Sequence, residues 1–435
     1  MSSQMFNIVR FKCAGIDIHK NYFVVTVSIT DRTTLETTYH TKEFHGFNSE
    51  LDLLCDFLRS YGVDDVCMES TGKYWIPVVN KLQANNIKFK LVHPKYVKAV
   101  SGHKTDKADS QFICRMYACD LCGPGSVIFP EKYREIKDLA RRYWILGYDL
   151  VSEKNRYQNC LTVSNLPLDA IFSDPLGKSA MAVMDEILSG HEEDEERILN
   201  AVHGRCKNKD KIMEAIKGSN ISPDQRFKIT DIRSHIDELE QHRDHVFTQI
   251  VSNLADDMED IVLLTSIPGV SVTSAILIVS EIGMNMDFWK DGNNLAAWAG
   301  LTPKNDQSHG KKKSTRITKA GTYLKPLLVQ CALAAIKQKN GYFTKKYKPI
   351  KRRRGHKKAI LAIARMILIS VYNILKKKEP FHPTDYDEVM NPTKKAKKVS
   401  EHDAIRTLES LGYTIDQICK TITPVSSPVV LHPTT

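Results

Sequence analysis

Four carboxylates in the first quarter of this 435-residue chain stand at spacings that suit a divalent-metal site. Asp17 lies in Ala14-Gly-Ile-Asp-Ile-His19 and Glu69 in Val66-Cys-Met-Glu-Ser-Thr-Gly72. Asp106 and Asp109 lie in Thr105-Asp-Lys-Ala-Asp-Ser110. Phosphoryl transfer uses hard oxygen ligands around one or two cations, which clamp the attacking and leaving oxygens. Mg²⁺ or Mn²⁺ is therefore the expected cofactor. Any one of these acids has an ordinary structural explanation. Asp106 and Asp109, for instance, fall in a helix's first turn behind Thr105 as N-cap, where the dipole favours negative charge. The metal reading rests on all four acids and on the elements that carry them.

Those elements follow from periodicity. Cys13 to Ile18 is an apolar run that reads as a buried strand, and Tyr22 to Ile29 is β-branched and apolar. A more polar strand is expected over Thr34 to Phe44. Phe47 to Tyr61 has helical spacing through Leu51, Leu54, Phe57 and Leu58. Val63 to Glu69 reads as a strand, Tyr74 to Ala84 as a helix, Ile87 to Val92 as a strand, and a helix opens at Thr105. The order βββαβαβα puts Asp17 on the first strand and Glu69 at the C-terminal end of the fourth. Asp106 and Asp109, three apart on a helix, share one face.

Charge is unevenly spread. The chain carries +11, yet Gln307 to Lys378 holds 21 Lys and Arg and no Asp or Glu, leaving the remainder at −10. An acid-free basic block is an electrostatic footprint for nucleic acid. A solvated basic face explains short Lys runs, but not a block that also contains the apolar helix Ala359 to Leu375. Lys311, Lys312, Lys313, Arg316, Lys319, Lys351, Arg352, Arg353, Arg354, Lys357 and Lys358 are the expected nucleic-acid contacts. Ten cysteines are scattered without a framework, and no signal-like stretch opens the chain, which fits a reducing cytoplasm. Cys119 and Cys122, with Cys114 nearby, lack a second pair at zinc spacing, so no zinc is expected. No run reads as long enough to span a membrane.

The middle of the chain has two narrow apolar seams. Ile136, Leu139, Tyr143, Leu146, Leu150, Tyr157 and Leu161 form one; Ile229, Ile232, Ile236, Leu239, Val246 and Ile250 form the other, with Arg243 in a core slot. Such seams suit coiled coils, pairing within one chain or between chains. The second alternative would make the protein a dimer or dimer of dimers. Phe172 to Ser219 reads as a helical insert.

A second motif cluster follows. Leu263-Leu-Thr-Ser-Ile-Pro-Gly-Val-Ser271 leads into a helix, the pattern of a helix-hairpin-helix turn whose free N–H groups can face a phosphate. Then come Leu295-Ala-Ala-Trp-Ala-Gly-Leu-Thr-Pro303, Lys304-Asn-Asp-Gln-Ser-His-Gly-Lys311 and Ile317-Thr-Lys-Ala-Gly-Thr-Tyr-Leu-Lys325. On chemistry alone Ser308, in a Lys-rich loop, reads as an ordinary surface serine, though such a loop would draw in a phosphate. No Asp or Glu follows it for 70 residues, so any activating base or metal must come from elsewhere.

The strand order with Asp, Glu and Asp-x-x-Asp resembles the RuvC-like, RNase H-type nuclease fold. Gly-Ile-Asp-Ile-His-Lys, Met-Glu-Ser-Thr-Gly and Lys-Thr-Asp-Lys-Ala-Asp are similar to the DEDD transposases of bacterial insertion sequences, and the second cluster resembles their C-terminal domain. The likeness runs from about Phe11 to Ile374. It implies an RNA-guided recombinase acting on donor and target DNA with a bridge RNA. It also implies that Asp17, Glu69, Asp106 and Asp109 bind the metal and that Ser308 is the nucleophile, forming a phosphoserine link. The chain has His309 where the family usually has Gly after that serine, with Ser314 as the fallback. The expected fold is α/β plus all-α. It comprises a RuvC-like domain at 1–128, a helical coiled-coil module at 129–257, a helical transposase domain at 258–380 and a tail at 381–435, with one short helical unit from Asp403 to Ile422. Two alternatives remain at this stage: a metal-dependent junction nuclease using water, and a non-enzymatic nucleic-acid-binding protein.

Overall fold

A computed structural model describes residues 7–69, 72–94, 105–204, 206, 209–303, 306–308, 311–314, 316–391, 406, 409 and 410; for 306–308 and 311–314 it describes the backbone alone. Five strands open the fold: β1 (Lys12–Ile18), β2 (Tyr22–Thr30), β3 (Thr37–His45), β4 (Asp65–Glu69) and β5 (Lys88–Val92). They form one mixed sheet in the order β3-β2-β1-β4-β5, antiparallel through β1, β2 and β3 and parallel from β1 through β4 to β5. Helices α1 (Asn48–Ser60) and α2 (Trp75–Ala84) cover one face, burying Ile16, Ile18, Phe23 and Val25 against Leu51, Leu54, Val78 and Leu82. Helix α3 (Asp106–Ala118) covers the other, against Cys13, Cys67 and Val92. Burial on both faces explains why β1 and β2 read as nearly continuous apolar runs. This is the expected RNase H-like α/β arrangement. The third strand starts at Thr37 rather than Thr34, because the Asp31 carboxylate accepts from the N–H groups of Thr33 and Thr34 and holds a turn there.

The rest of the described chain is mainly helical. Helix α4 (Glu131–Val163) is followed by the short helices α5 (Leu168–Ile171), α6 (Lys178–Leu188), α7 (Glu195–Ala201) and α8 (Lys209–Lys217), and then by α9 (Pro223–Asn253). The two apolar seams lie on α4 and α9 and meet each other inside one chain. Leu146, Leu150 and Tyr157 share a core with Ile229, Ile232, Ile236 and Leu239, and the short helices close its far end. Arg243 fills its seam slot by lying 4.2 Å over the Tyr143 ring and donating to the Tyr143 hydroxyl at 2.7 Å. The described seam residues are thus spent on an intramolecular hairpin, so joining protomers would take a different face.

Helices α10 (Met258–Leu263), α11 (Val272–Ile282), α12 (Gly292–Trp298), α13 (Leu324–Ala335), α14 (Tyr342–Arg354), α15 (His356–Lys377) and α16 (Tyr386–Met390) build the C-terminal core. Strands β6 (Asp306–Ser308) and β7 (Lys311–Ser314) interrupt them. Phe129 joins this core from the far side, and Glu281 of α11 accepts from Lys137 and Arg141 of α4 at 3.3 and 3.1 Å. Contrary to expectation, one helix, α15, is long and apolar enough to cross a membrane. Its Ile363, Ala364, Ile367, Leu368 and Val371 are packed into the helical core, which accounts for its apolarity without a bilayer. Phe381 to Met390, assigned to the tail from sequence, lie on α14 through Phe381 against Tyr342 and Asp385 against Tyr342 and Lys346. The helical unit expected over Asp403 to Ile422 falls almost wholly outside the described residues.

Candidate functional site

The parallel ladder between β1 and β4 sets two of the acids. Its last pair is Ile16 with Met68, so Asp17 and Glu69 are the next residues on neighbouring strands. Alternation puts Cys13, Gly15 and Asp17 on the face that α3 covers. Gly15 is what lets α3 lie so close. A Cβ there would stand 2.4 Å from the backbone nitrogen of Cys114 and 2.4 Å from the carbonyl oxygen of Ser110. Ser110 also meets the Thr26 hydroxyl of β2 at 2.7 Å. The start of α3 is fixed by Thr105, whose side chain accepts from the Ala108 N–H at 3.2 Å as the expected N-cap. Together these contacts set the first turn of α3, with Asp106 and Asp109, over the C-terminal end of β1.

Asp17 is almost fully buried at 8% exposure. His19, two residues on and on the same face, bridges the acids: its Nε2 lies 3.1 Å from Asp17 Oδ2 and 3.3 Å from Asp106 Oδ1. The Tyr22 hydroxyl donates to the other oxygen of Asp106 at 2.8 Å. Burial pushes the Asp17 pKa above the usual carboxylate range; His19 opposes that shift, while the nearby charges of Asp109 and Asp106 add to it. Among the described residues, ligand atoms of Asp17, His19 and Asp106 lie within 4.8 Å of one another. Asp109 and Glu69 stand outside that tight set. A desolvated carboxylate raised further by two like charges is the electrostatic condition a cation relieves, and two carboxylates with one imidazole suit a divalent ion. The donor set therefore fits a metal. His19 and Tyr22 were missed from sequence, though alternation along β1 places His19 beside Asp17.

The second cluster is organised differently from expectation. Ser308 lies on a strand rather than in a loop: it pairs with Lys311 and Gln307 with Lys312, with a register shift before Asp306 and Ser314. The side chains of Ser308, Lys311, Lys312, Lys313 and Ser314 lie outside the described residues. The Pro268-Gly269 turn is seated on α13. Gly269 has φ +86°, and a Cβ there would meet the Cys331 carbonyl oxygen at 2.4 Å. The start of α11 beyond it stays exposed, with Ser271 accepting from the Ser274 N–H at 3.2 Å.

Arg316, Lys319 and every residue from Lys351 to Lys358 are exposed. Lys351 to Arg354 end α14, where cations complement the dipole, whereas Lys357 and Lys358 begin α15, where they oppose it. Gly355 turns the elbow between the helices at φ +81°, and the Tyr347 hydroxyl and His356 Nδ1, 2.6 Å apart, tie it together. The elbow thus sets exposed cations at a helix N-terminus, whose N–H groups also favour anions.

Two family models match the chain. Residues 14–165 match the family model for DEDD-type IS110 transposases, and residues 262–348 match that of the transposase IS116/IS110/IS902 family. A protein of Pseudomonas aeruginosa described as a probable family 20 transposase is 23% identical over 322 residues, covering 70% of this chain and 84% of that protein. The first match implies a divalent metal, in keeping with the cluster around Asp17. With the RNase H-like domain and the helical domain both matched, in order, along one chain, the protein belongs to the IS110-type DEDD transposases, enzymes that cleave and recombine DNA.

Proposed function

We propose that the chain cuts and rejoins DNA strands through a phosphoserine link, guided by an RNA, with Asp17, Glu69, Asp106 and Asp109 as its metal-binding carboxylates. The observation that carries the reading is the buried Asp17 bridged through His19 to Asp106 on a helix held against β1. Mg²⁺ or Mn²⁺ bound there would supply Lewis-acid stabilisation of charge on a phosphate. His19 and Tyr22 orient Asp17 and Asp106 by hydrogen bonds, and α3 keeps solvent from Asp17. Ser308, or Ser314 as the alternative, gives its proton to a carboxylate of the cluster. Its Oγ forms the bond to phosphorus as the bond from phosphorus to the deoxyribose oxygen breaks, and that oxygen takes up the proton the carboxylate received. The bond energy of the phosphodiester is retained in the phosphoserine ester until a new strand's hydroxyl displaces the serine.

The basic elbow from Lys351 to Lys358, with Lys311, Lys312, Lys313, Arg316 and Lys319, holds DNA or guide RNA by its phosphates. Paired cuts call for two or more protomers, and a dimer or dimer of dimers satisfies that. Work on DNA with an intracellular guide points to the bacterial cytoplasm. The domain limits proposed are 1–128, 129–257 and 258–380, with 381–435 beyond.

The test is direct. RNA that copurifies with the chain is sequenced, and cleavage of the flanking DNA is measured for Asp17→Asn and Asp109→Asn. Recovery of one RNA with complementarity to both DNA ends, and loss of cleavage with retained binding in both variants, support the reading. Full Mg²⁺-dependent cleavage by both variants rejects the carboxylate assignment, and absence of any enriched RNA rejects the guide.

A further inference from the structure

A groove runs along α15 beside the base of the β6–β7 ladder. Its apolar floor includes Leu301, Ile317, Leu361 and Met366, and its volume is about 1080 Å³. Arg316, Arg354, Lys358 and Arg365 line it too, and among the described residues no Asp or Glu does. Pro303 and Ile317, bridged to each other, form part of one wall and stand three residues before β6 and three after β7 in the chain. Arg365 is held by Asn293 of α12 at 2.8 Å, while its Nε is buried with no hydrogen-bond partner among the described residues. A buried donor left unsatisfied is costly, and Arg365 is among the residues that line the groove.

An apolar floor under a rim of four described cations sets two demands on its occupant. It must bring an apolar face and an anion together. Duplex DNA offers only phosphates, since its base faces are stacked out of reach. An unpaired nucleotide offers both: a base to lie on the aliphatic floor and phosphates for the rim. The cavity is at or above the usual range of roughly 300–1000 Å³ for small-ligand sites, so it has room for one or two nucleotides. Residues 392–435 of this chain are the competing occupant. They carry six Lys and Arg against four Asp and Glu, the wrong sign for this rim.

We propose that this groove binds an unpaired nucleotide of the DNA strand being cut, holding it out of the duplex beside the β6–β7 ladder. The proposal rests on the DNA-cleaving reading above but not on Ser308 as nucleophile. It identifies Arg365 and Leu361, which the family likeness and the charge pattern did not single out, as substrate-binding residues.

The experiment measures binding by the full chain to a duplex with a two-nucleotide single-stranded gap containing 2-aminopurine. The same duplex with abasic residues in the gap, and an intact duplex, are the references. The wild type is expected to bind the gapped duplex about tenfold tighter than its abasic counterpart, the weight of one buried base, with a change in 2-aminopurine emission. Leu361→Ser and Arg365→Gln should each bring the ratio of gapped to abasic affinity, taken within the same variant, close to one. Four results would overturn the proposal: no preference in the wild type, a preference retained in both variants, a preference for gapped RNA but not DNA, or one that emerges only when residues 392–435 are removed. A chain that keeps the preference yet forms no phosphoserine adduct refutes the nucleophile and leaves the groove standing.

Discussion

Replacing Gly15 with Ala should damage the metal site without touching any of its ligands. The added Cβ would stand 2.4 Å from two backbone atoms of α3 and 2.9 Å from the Cα of Cys114, where ordinary contact begins at 3.4 Å. No flexible side-chain tip is there to yield, so α3 must move away from β1 by about 1 Å, the difference between those two distances. Overpacking of this kind costs about 1–3 kcal/mol of stability. The functional cost should be larger, because Asp106 and Asp109 ride on the displaced helix while Asp17 stays on the strand. A misplacement of about 1 Å in a catalytic constellation is worth roughly 100-fold in rate. Thermal unfolding, Mn²⁺ titration calorimetry and strand cleavage can be measured on Gly15→Ala beside Gly204→Ala, whose added Cβ meets nothing within 4 Å. The expected result is a folded protein with weakened Mn²⁺ binding and cleavage down about 100-fold, against a neutral control. A Gly15→Ala protein with unchanged Mn²⁺ affinity and rate would refute the claim that α3 positions the carboxylates.

Three further outcomes follow from the same geometry. Burial holds the Asp17 pKa up, so this residue's contribution to stability is full at acid pH and is lost as pH rises through the raised value. In EDTA, Asp17→Asn should therefore melt above the wild type at neutral pH and show no such gain in acid, while losing the stabilisation that Mn²⁺ gives the wild type; equal melting at neutral pH would contradict this. Ile232→Asp with Leu239→Asp puts two charges into the α4–α9 core and should cost several kcal/mol, on the order of 3 or more, by urea denaturation. A stable, folded monomer from that pair would show that the seam joins protomers after all. Neutralising Lys351, Arg352 and Arg353 should flatten the dependence of log affinity on log salt by about 2 to 3 units, and an unchanged slope would place the elbow off the nucleic-acid surface.

Some of this was legible in sequence and some was not, for physical reasons. β1 and β2 announced themselves because both faces are buried, and Thr105 announced the start of α3 because capping is local chemistry. The start of β3 was misplaced because the Asp31 turn competes with the strand over the same β-forming threonines. The seams were visible as periodicity, but spacing does not say which helix answers which, so their closure within one chain was left open. Gly15 was unremarkable in a strand until α3 was seen lying on it. His19 could have been found by counting alternate residues from Asp17. Arg365 could not, since the groove exists only after the Pro303–Ile317 bridge and α15 come together.

The linkage of the two halves of the chain is tested most directly by trapping the reaction on a DNA strand nicked beside the cleavage site, so that the cut end diffuses away. Protein is then digested and its peptides are mapped by mass spectrometry for a nucleotide adduct. The expected result is an adduct on Ser308 that needs divalent metal and disappears in Ser308→Ala and in Asp17→Asn. An adduct on Ser314, or metal-dependent cleavage that leaves the protein unmodified, would contradict it.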